Sequence, residues 1–263
     1  QIKGLTKEFW TAHGGFWEKT LAHLILNRAE RATWRSMTGV GRRIEWLLGR
    51  LVAKEAVAQL IQQQAGLTPR LADIVIANDA HGKPVVEGRW LGRLGWPITL
   101  SITHTRDLAA AMACAGSHLV VGVGIDAEPI AREREAFVDA TFSPREQALL
   151  ARLDESGDDT WALRLWCAKE AAGKALGRGL GGRPHDLVIQ EVDPATGVVQ
   201  IGLAGALADL FPTFSGEGVR AHTARAGEYA VASVWACGGV YLTHPHPSPP
   251  LPSPQRRGKG RVR

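Results

Sequence analysis

The sequence predicts an α+β protein made of two related lobes, and three observations carry the prediction. Segments with apolar residues at helical spacing alternate with short β-branched runs. The tetrapeptide AKEA occurs at Ala53–Ala56 and again at Ala168–Ala171, 115 residues later. The stretch SITHTRDLAAAMACAG is echoed by RAHTARAGEYAVASVWACGG, which places His104-Thr105 and His222-Thr223 118 residues apart. Ordered matches at a shared offset point to a duplication, with a cleft at a pseudo-two-fold interface. The implied boundaries are 1–118 for the N-terminal lobe, 119–242 for the C-terminal lobe and 243–263 for a tail.

The elements follow in order. FWEKTLAHLILNRAERATWR, residues 16–35, has helical periodicity. A second helix covers 42–64 and stops at Gly66 and Pro69. ADIVIAND reads as a strand, AHGKP as a turn and PITLSITHT as another strand. LAAAMACA and LVVGVGIDAE read as two buried strands of a hairpin joined at Gly116-Ser117-His118. Residues 133–152 read as helical, with Ser143 as N-cap and Pro144 as first helical residue of its second part. A helix over 160–176 ends in GRGLGGRP. DLVIQEV, GVVQIGL and YAVASVWAC read as strands, and the Pro-rich, basic end as a disordered tail.

Composition excludes several functions. The formal charge is +5, yet Arg256, Arg257, Lys259, Arg261 and Arg263 account for the whole excess. The body is therefore formally neutral, which argues against nucleic-acid binding. Cys114, Cys167 and Cys237 form no CxxC, so reduced thiols and a cytoplasmic location are expected. The first residues lack the apolar core of a signal peptide, and the chain begins without Met, as a piece of a longer protein would. Gly116-Ser117-His118 interrupts the most apolar run well short of the ~20 residues a membrane span needs.

The chemistry concentrates in a few residues. Asp126 and Glu128 are i and i+2 on a strand, so they project side by side about 7 Å apart. Such a pair is tolerated if a cation lies between the carboxylates or if both face bulk water. Glu170 can add a third carboxylate from a helix, and it shares a face with Lys174. Ala168, Ala171, Ala172 and Gly173 make that helix narrow, open to close approach by a backbone or a ligand. Arg43, Arg50 and Lys54 recur at spacings of seven and four on one helical face, either solvated or phosphate-binding. Lys83 sits in a rigid turn and Thr103-His104 closes a strand. GRGLGGRP lacks the GK[ST] of a phosphate loop and follows a helix instead of preceding one.

Together these residues resemble a known family. GVGIDAE, FSPREQALL and WCAKEAAGKALGRGL are similar to the (V/I)G-x-D-x-E, F-(S/T)-x-x-E and W-x-x-KEA-x-x-K motifs of the two-lobed 4′-phosphopantetheinyl transferases. RRIEWLLGRLVAKEAV, HGKPVV and LSITHT resemble that family's coenzyme A-binding segments in the same order, and the resemblance covers residues 30–240. FWEKTLAHLILNRAER is similar to such domains found with polyketide or polyunsaturated fatty acid synthases. Position 127 is Ala where Ile or Val is usual, Thr103 stands where Ser is frequent, and Gly173 is a poor helix former costing up to ~1 kcal/mol.

The resemblance implies transfer of the phosphopantetheine arm of coenzyme A to a serine of an acyl or peptidyl carrier protein, with release of adenosine 3′,5′-bisphosphate. It implies Mg²⁺ held by Asp126, Glu128 and Glu170. Glu170, or a water it orients, would accept the serine proton, and Lys174 would stabilise charge on the transferring phosphate or the leaving group. Lys83, Thr103 and His104 would meet coenzyme A phosphates, as would Arg43, Arg50 and Lys54. Glu146 would act as a base or only brace its helix. On this reading the two AKEA copies divide their duties: Lys54 serves the coenzyme, Glu170 serves the metal and Glu55 is dispensable. A monomer with pseudo-dimeric lobes is expected, binding neither nucleic acid nor membrane. The rival reading is a coenzyme A-binding module without catalysis.

Overall fold

The computed structural model describes residues 7–105, 107–117, 120–130, 135–155, 157–214 and 216–238. The basic tail from Thr243, and His118 of the expected hairpin turn, lie outside the described residues.

The helical pattern over 16–35 resolves into two helices, α1 (Lys7–Ile25) and α2 (Arg28–Ser36). Asn27 divides them. Its side chain accepts the Glu30 N–H at 2.9 Å while the Glu30 carboxylate accepts the Asn27 N–H at 3.0 Å. That reciprocal capping box starts a new helix inside an unbroken apolar period. Helix α3 (Val40–Ala65) ends at Gly66, whose φ of 67° lies in the left-handed region that glycine enters without Cβ strain. Antiparallel β1 (Val75–Asn78) and β2 (Pro84–Glu87) flank the expected turn, and β3 (Ile98–His104) pairs antiparallel with β4 (Ala109–Ala115).

The expected hairpin between LAAAMACA and LVVGVGIDAE does not form. β4 spends its ladder on β3, while β5 (Val120–Pro129) pairs with β9 (Tyr229–Cys237) at the edge of a second sheet. That sheet has the order β5-β9-β8-β7-β6, all antiparallel, with β6 (Leu187–Asp193), β7 (Val198–Leu203) and β8 (Val219–Ala226). Between β5 and β6 come α4 (Glu135–Thr141), α5 (Pro144–Asp154) and α6 (Trp161–Ala175); α7 (Gly205–Leu210) lies between β7 and β8.

Glycines explain why β5 belongs beneath α6. A Cβ on Gly124 would overlap the Ala171 carbonyl oxygen, and one on Gly122 would overlap that of Ala175. The alanines of α6 are buried against the same strand, so helix and strand approach backbone to backbone. The narrowness of this helix therefore admits a strand. Gly173 is likewise required: a Cβ there would lie 2.7 Å from the Gly179 carbonyl carbon. The Arg178 and Gly179 amides both donate to the Gly173 carbonyl, folding GRGL back over the helix end.

The duplication shows in matched elements and in one matched device. The order α2, α3, β1–β4 in the first half is repeated by α5, α6, β6–β9 in the second. In the first half, the fully buried Lys54 ammonium pairs with Glu30 at 2.6 Å and donates to the Ile25 carbonyl at 2.7 Å. In the second, the fully buried Lys169 pairs with Glu146 at 2.8 Å and donates to the Thr141 carbonyl at 3.2 Å. Each glutamate caps its own helix and accepts a strand amide, Ile76 N–H for Glu30 and Ile189 N–H for Glu146. One side chain in each lobe thus ties a capped helix, a core helix and the first strand together.

Candidate functional site

The site forms where α6 crosses the end of β5 and β3 approaches from the first half. Asp126 is 4% exposed. Its Oδ1 accepts from Lys174 Nζ at 2.7 Å and from Thr103 Oγ1 at 3.1 Å, whereas its buried Oδ2 has no hydrogen-bond partner. Glu128, two residues on, is half-buried. Burial first, then the Asp126 charge, pushes its carboxyl above the ordinary value, against the pull of Lys174 and a hydrogen bond with the Trp166 side chain. Glu170 on α6 is pushed up in the same way, by burial, then Asp126, with Glu128 adding and Lys174 opposing. The Asp126 charge thus raises both glutamates, and the three carboxylates with one ammonium among them form a cluster of net negative charge. Among the described residues no three acid, histidine or cysteine side chains are already gathered as a metal ligand set. Burial, then the Asp126 charge and a hydrogen bond with the Asp126 side chain, drives the Cys167 thiol up, so this cysteine stays a thiol beside the acids.

Beside the acids lies a groove of about 170 Å³ whose walls come from both halves. His81 and Lys83 line it from the β1–β2 turn, Ser101 from β3, and Lys174 and Arg178 from α6 and the turn beyond it. Arg178 Nη1 lies 2.5 Å from His81 Nε2. Burial pulls the Lys83 ammonium below its ordinary value, opposed by Asp79. A wider groove of about 390 Å³ beside Glu55, walled by Ala109, Ala127 and Tyr229, has no lysine or arginine on its walls. The smaller, cationic groove therefore suits a phosphate-bearing ligand and the wider one does not.

The structure brings Asp126, Glu128, Glu170, Lys174, Thr103 and Lys83 to one region, and it separates the rest. His104 is exposed at the end of β3, beside Gly49 of α3. Arg43 turns to Glu18 at 3.0 Å and lies 6.0 Å from the Trp34 ring. Arg50 lies 4.6 Å from the Trp46 ring. Lys54 is sealed in the core. The three cations do share a face, as their spacing requires, but none of them lines the cationic groove; Arg43 and Lys54 turn towards α1 and α2. The expectation that Lys54 meets the coenzyme is corrected, because its ammonium is consumed by Glu30 and Ile25. The Glu146 carboxylate serves Lys169, Ser143 and Ile189, is 1% exposed and lines no part of the cationic groove. Sequence reasoning missed Arg178 and His81. Their signal was present in GRGLGGRP and AHGKP, as an arginine and a histidine in glycine turns that the fold brings face to face.

With this geometry in place, comparison supplies the class. A family profile of the 4′-phosphopantetheinyl transferase superfamily matches residues 122–234, the segment that holds β5, α6 and the acids. A holo-[acyl-carrier-protein] synthase of Staphylococcus carnosus is 32% identical over 93 residues, covering 35% of this chain and 75% of that protein. One from Bacillus subtilis is 34% identical over 94 residues, covering 36% and 75%. One from Geobacillus kaustophilus is 39% identical over 87 residues, covering 33% of this chain and 64% of that protein. The chain belongs to the 4′-phosphopantetheinyl transferase superfamily. Among solved structures, the holo-[acyl-carrier-protein] synthase of Neisseria meningitidis aligns with a TM-score of 0.36 at 23% identity, over 45% of this chain and 98% of that one. That of Helicobacter pylori, in complex with coenzyme A, aligns at 0.33 and 25%, over 43% and 96%. Among the described residues no helix is long and apolar enough to cross a membrane.

Proposed function

We propose that this chain transfers the 4′-phosphopantetheine arm of coenzyme A to a serine of an acyl or peptidyl carrier protein, releasing adenosine 3′,5′-bisphosphate, with Mg²⁺ as cofactor. One observation carries the reading: a carboxylate cluster adjoins a groove lined by His81, Lys83, Lys174 and Arg178. A pyrophosphate and a divalent cation need these two chemistries side by side. The all-oxygen donor set suits Mg²⁺, and the orphaned, buried Asp126 Oδ2 is an atom that a cation would satisfy.

Asp126, Glu128 and Glu170 would hold Mg²⁺, which when bound neutralises pyrophosphate charge. Lys83, Arg178 and His81 bind the phosphates and fix the coenzyme along the groove. Lys174 donates to the phosphate oxygens as charge moves to the leaving group. The carrier serine oxygen forms the new bond to the phosphorus that bears pantetheine, and the bond from that phosphorus to the bridging oxygen breaks. The serine proton passes to Glu170, directly or through one water. Both halves contribute to the groove within one chain, which supports a monomer with lobes at 1–118 and 119–242. Three free cysteines support a reducing, cytoplasmic compartment.

Mass spectrometry of an apo carrier protein, incubated with this chain, coenzyme A and Mg²⁺, tests the proposal. The expected product is heavier by one phosphopantetheine. Coenzyme A binding with no mass gain would make the chain a coenzyme-binding module and end the catalytic reading.

A further inference from the structure

We infer that Thr103 is a positioning residue that aims Asp126 at the cation and is no coenzyme contact; the inference rests on the proposed cation site. Thr103 is 5% exposed on β3, and its hydroxyl donates to Asp126 Oδ1 at 3.1 Å. A threonine hydroxyl has one proton to donate. Phosphate oxygens at neutral pH only accept, so a hydroxyl already donating to Asp126 cannot also donate to a coenzyme phosphate. Lys174 holds the same Oδ1 at 2.7 Å. Two donors on one oxygen set the carboxylate's rotation and leave Oδ2 as the oxygen that a cation would meet.

The clasp also couples the two halves. Residues 101 and 103 lie on one face of β3. Ser101 Oγ accepts the Ile125 N–H at 3.0 Å, one residue before the carboxylate that Thr103 holds. A strand from the first half thus grips the acidic tip of a strand from the second. The geometry of the cation site depends on how the halves dock.

The test uses the full chain and Mn²⁺ as probe, with free Mn²⁺ read by electron paramagnetic resonance in the absence of coenzyme A. Thr103→Val, which keeps the shape and loses the hydroxyl, is expected to weaken Mn²⁺ binding about tenfold. Thr103→Ser is expected to bind as wild type does. Calorimetric affinity for coenzyme A in metal-free buffer should stay within about twofold in both. Thr103→Ala gives the same reading if valine disturbs the fold by its melting curve. Weakened coenzyme A affinity with unchanged Mn²⁺ binding, or no change in either, would overturn the inference. Failure of the wild-type chain to bind Mn²⁺ would instead bring down the cation site itself.

Discussion

Lys54-Glu55 of α3 and Lys169-Glu170 of α6 are the same dipeptide in the same duplicated helix, yet only the lysines share a role. Both lysines are fully buried, and each ties a capping glutamate to the core. The glutamates diverge. Glu170 lies among Asp126, Glu128 and Lys174. Glu55 is exposed, beside a groove walled by alanine and tyrosine. The difference lies in a neighbour. β5 precedes α4 and α5 in the second half, and the first half has α1 at the corresponding place, with no acidic strand end among the described residues to meet α3. A duplicated position keeps its role where both copies retain the surroundings, and loses it where one copy lacks them.

The largest expected effect tests the shared half of that comparison. Lys54→Met and Lys169→Met each leave a buried carboxylate uncompensated, which costs about 3–5 kcal/mol by denaturant unfolding. A stable Lys54→Met chain with weakened coenzyme A binding would break the equivalence. The divergent half comes next: Glu170→Ala should slow transfer by ~10²–10³, while Glu55→Ala stays within about twofold. Equal losses would refute the division.

Glycines sharpen the same contrast at smaller magnitude. Gly124→Ala drives a methyl into the Ala171 carbonyl and should cost about 1–3 kcal/mol or more. Gly49→Ala meets only Ile102 and His104 side chains at 3.7 and 3.8 Å, so it should be neutral or stabilise α3 by up to about 1 kcal/mol. The mildest effect is in pH. Glu128 and Glu170 titrate above the ordinary carboxylate value, so the fold holds more protons than the unfolded chain between the two values. Their contribution is full below the ordinary value and is lost as pH rises through the raised ones. Glu146 behaves oppositely: burial would raise it, but hydrogen bonds from Lys169, Ile189 and Ser143 and the Lys169 charge outweigh that and lower it. Its contribution is present above the ordinary value and is lost as pH falls through the lowered one. Melting curves against pH in metal-free buffer should show Glu170→Gln shallowing the decline that begins above the ordinary carboxylate value, and an unchanged profile would remove Glu170 from the cluster.

Much of this architecture is legible in the residues, and the misses share a cause. The spans of α3 and α6, the Ser143-Pro144 start of α5 and the strand runs are local events, written in periodicity, caps and turns. The break at Asn27 was also local, carried by Asn and Glu three apart, but masked by a continuous apolar period. The partner of β5 was not legible, because pairing depends on which strand has free ladder groups and on glycines whose purpose is visible only against α6. Gly173, a liability by helix propensity, is required once Gly179 packs on it.

The sequence alone determined the duplication, the side-by-side acids at 126 and 128, and the placement of Glu170 and Lys174 on one helical face. These depend on spacing along a single strand or helix. Tertiary structure decided that the face bearing Arg43, Arg50 and Lys54 turns away from the groove, that the Glu146 carboxylate serves Lys169, and that Arg178 meets His81. A helical period says which residues share a face but not what that face will meet, and the meeting is settled by burial: a lysine with a buried glutamate and a carbonyl within reach is held there.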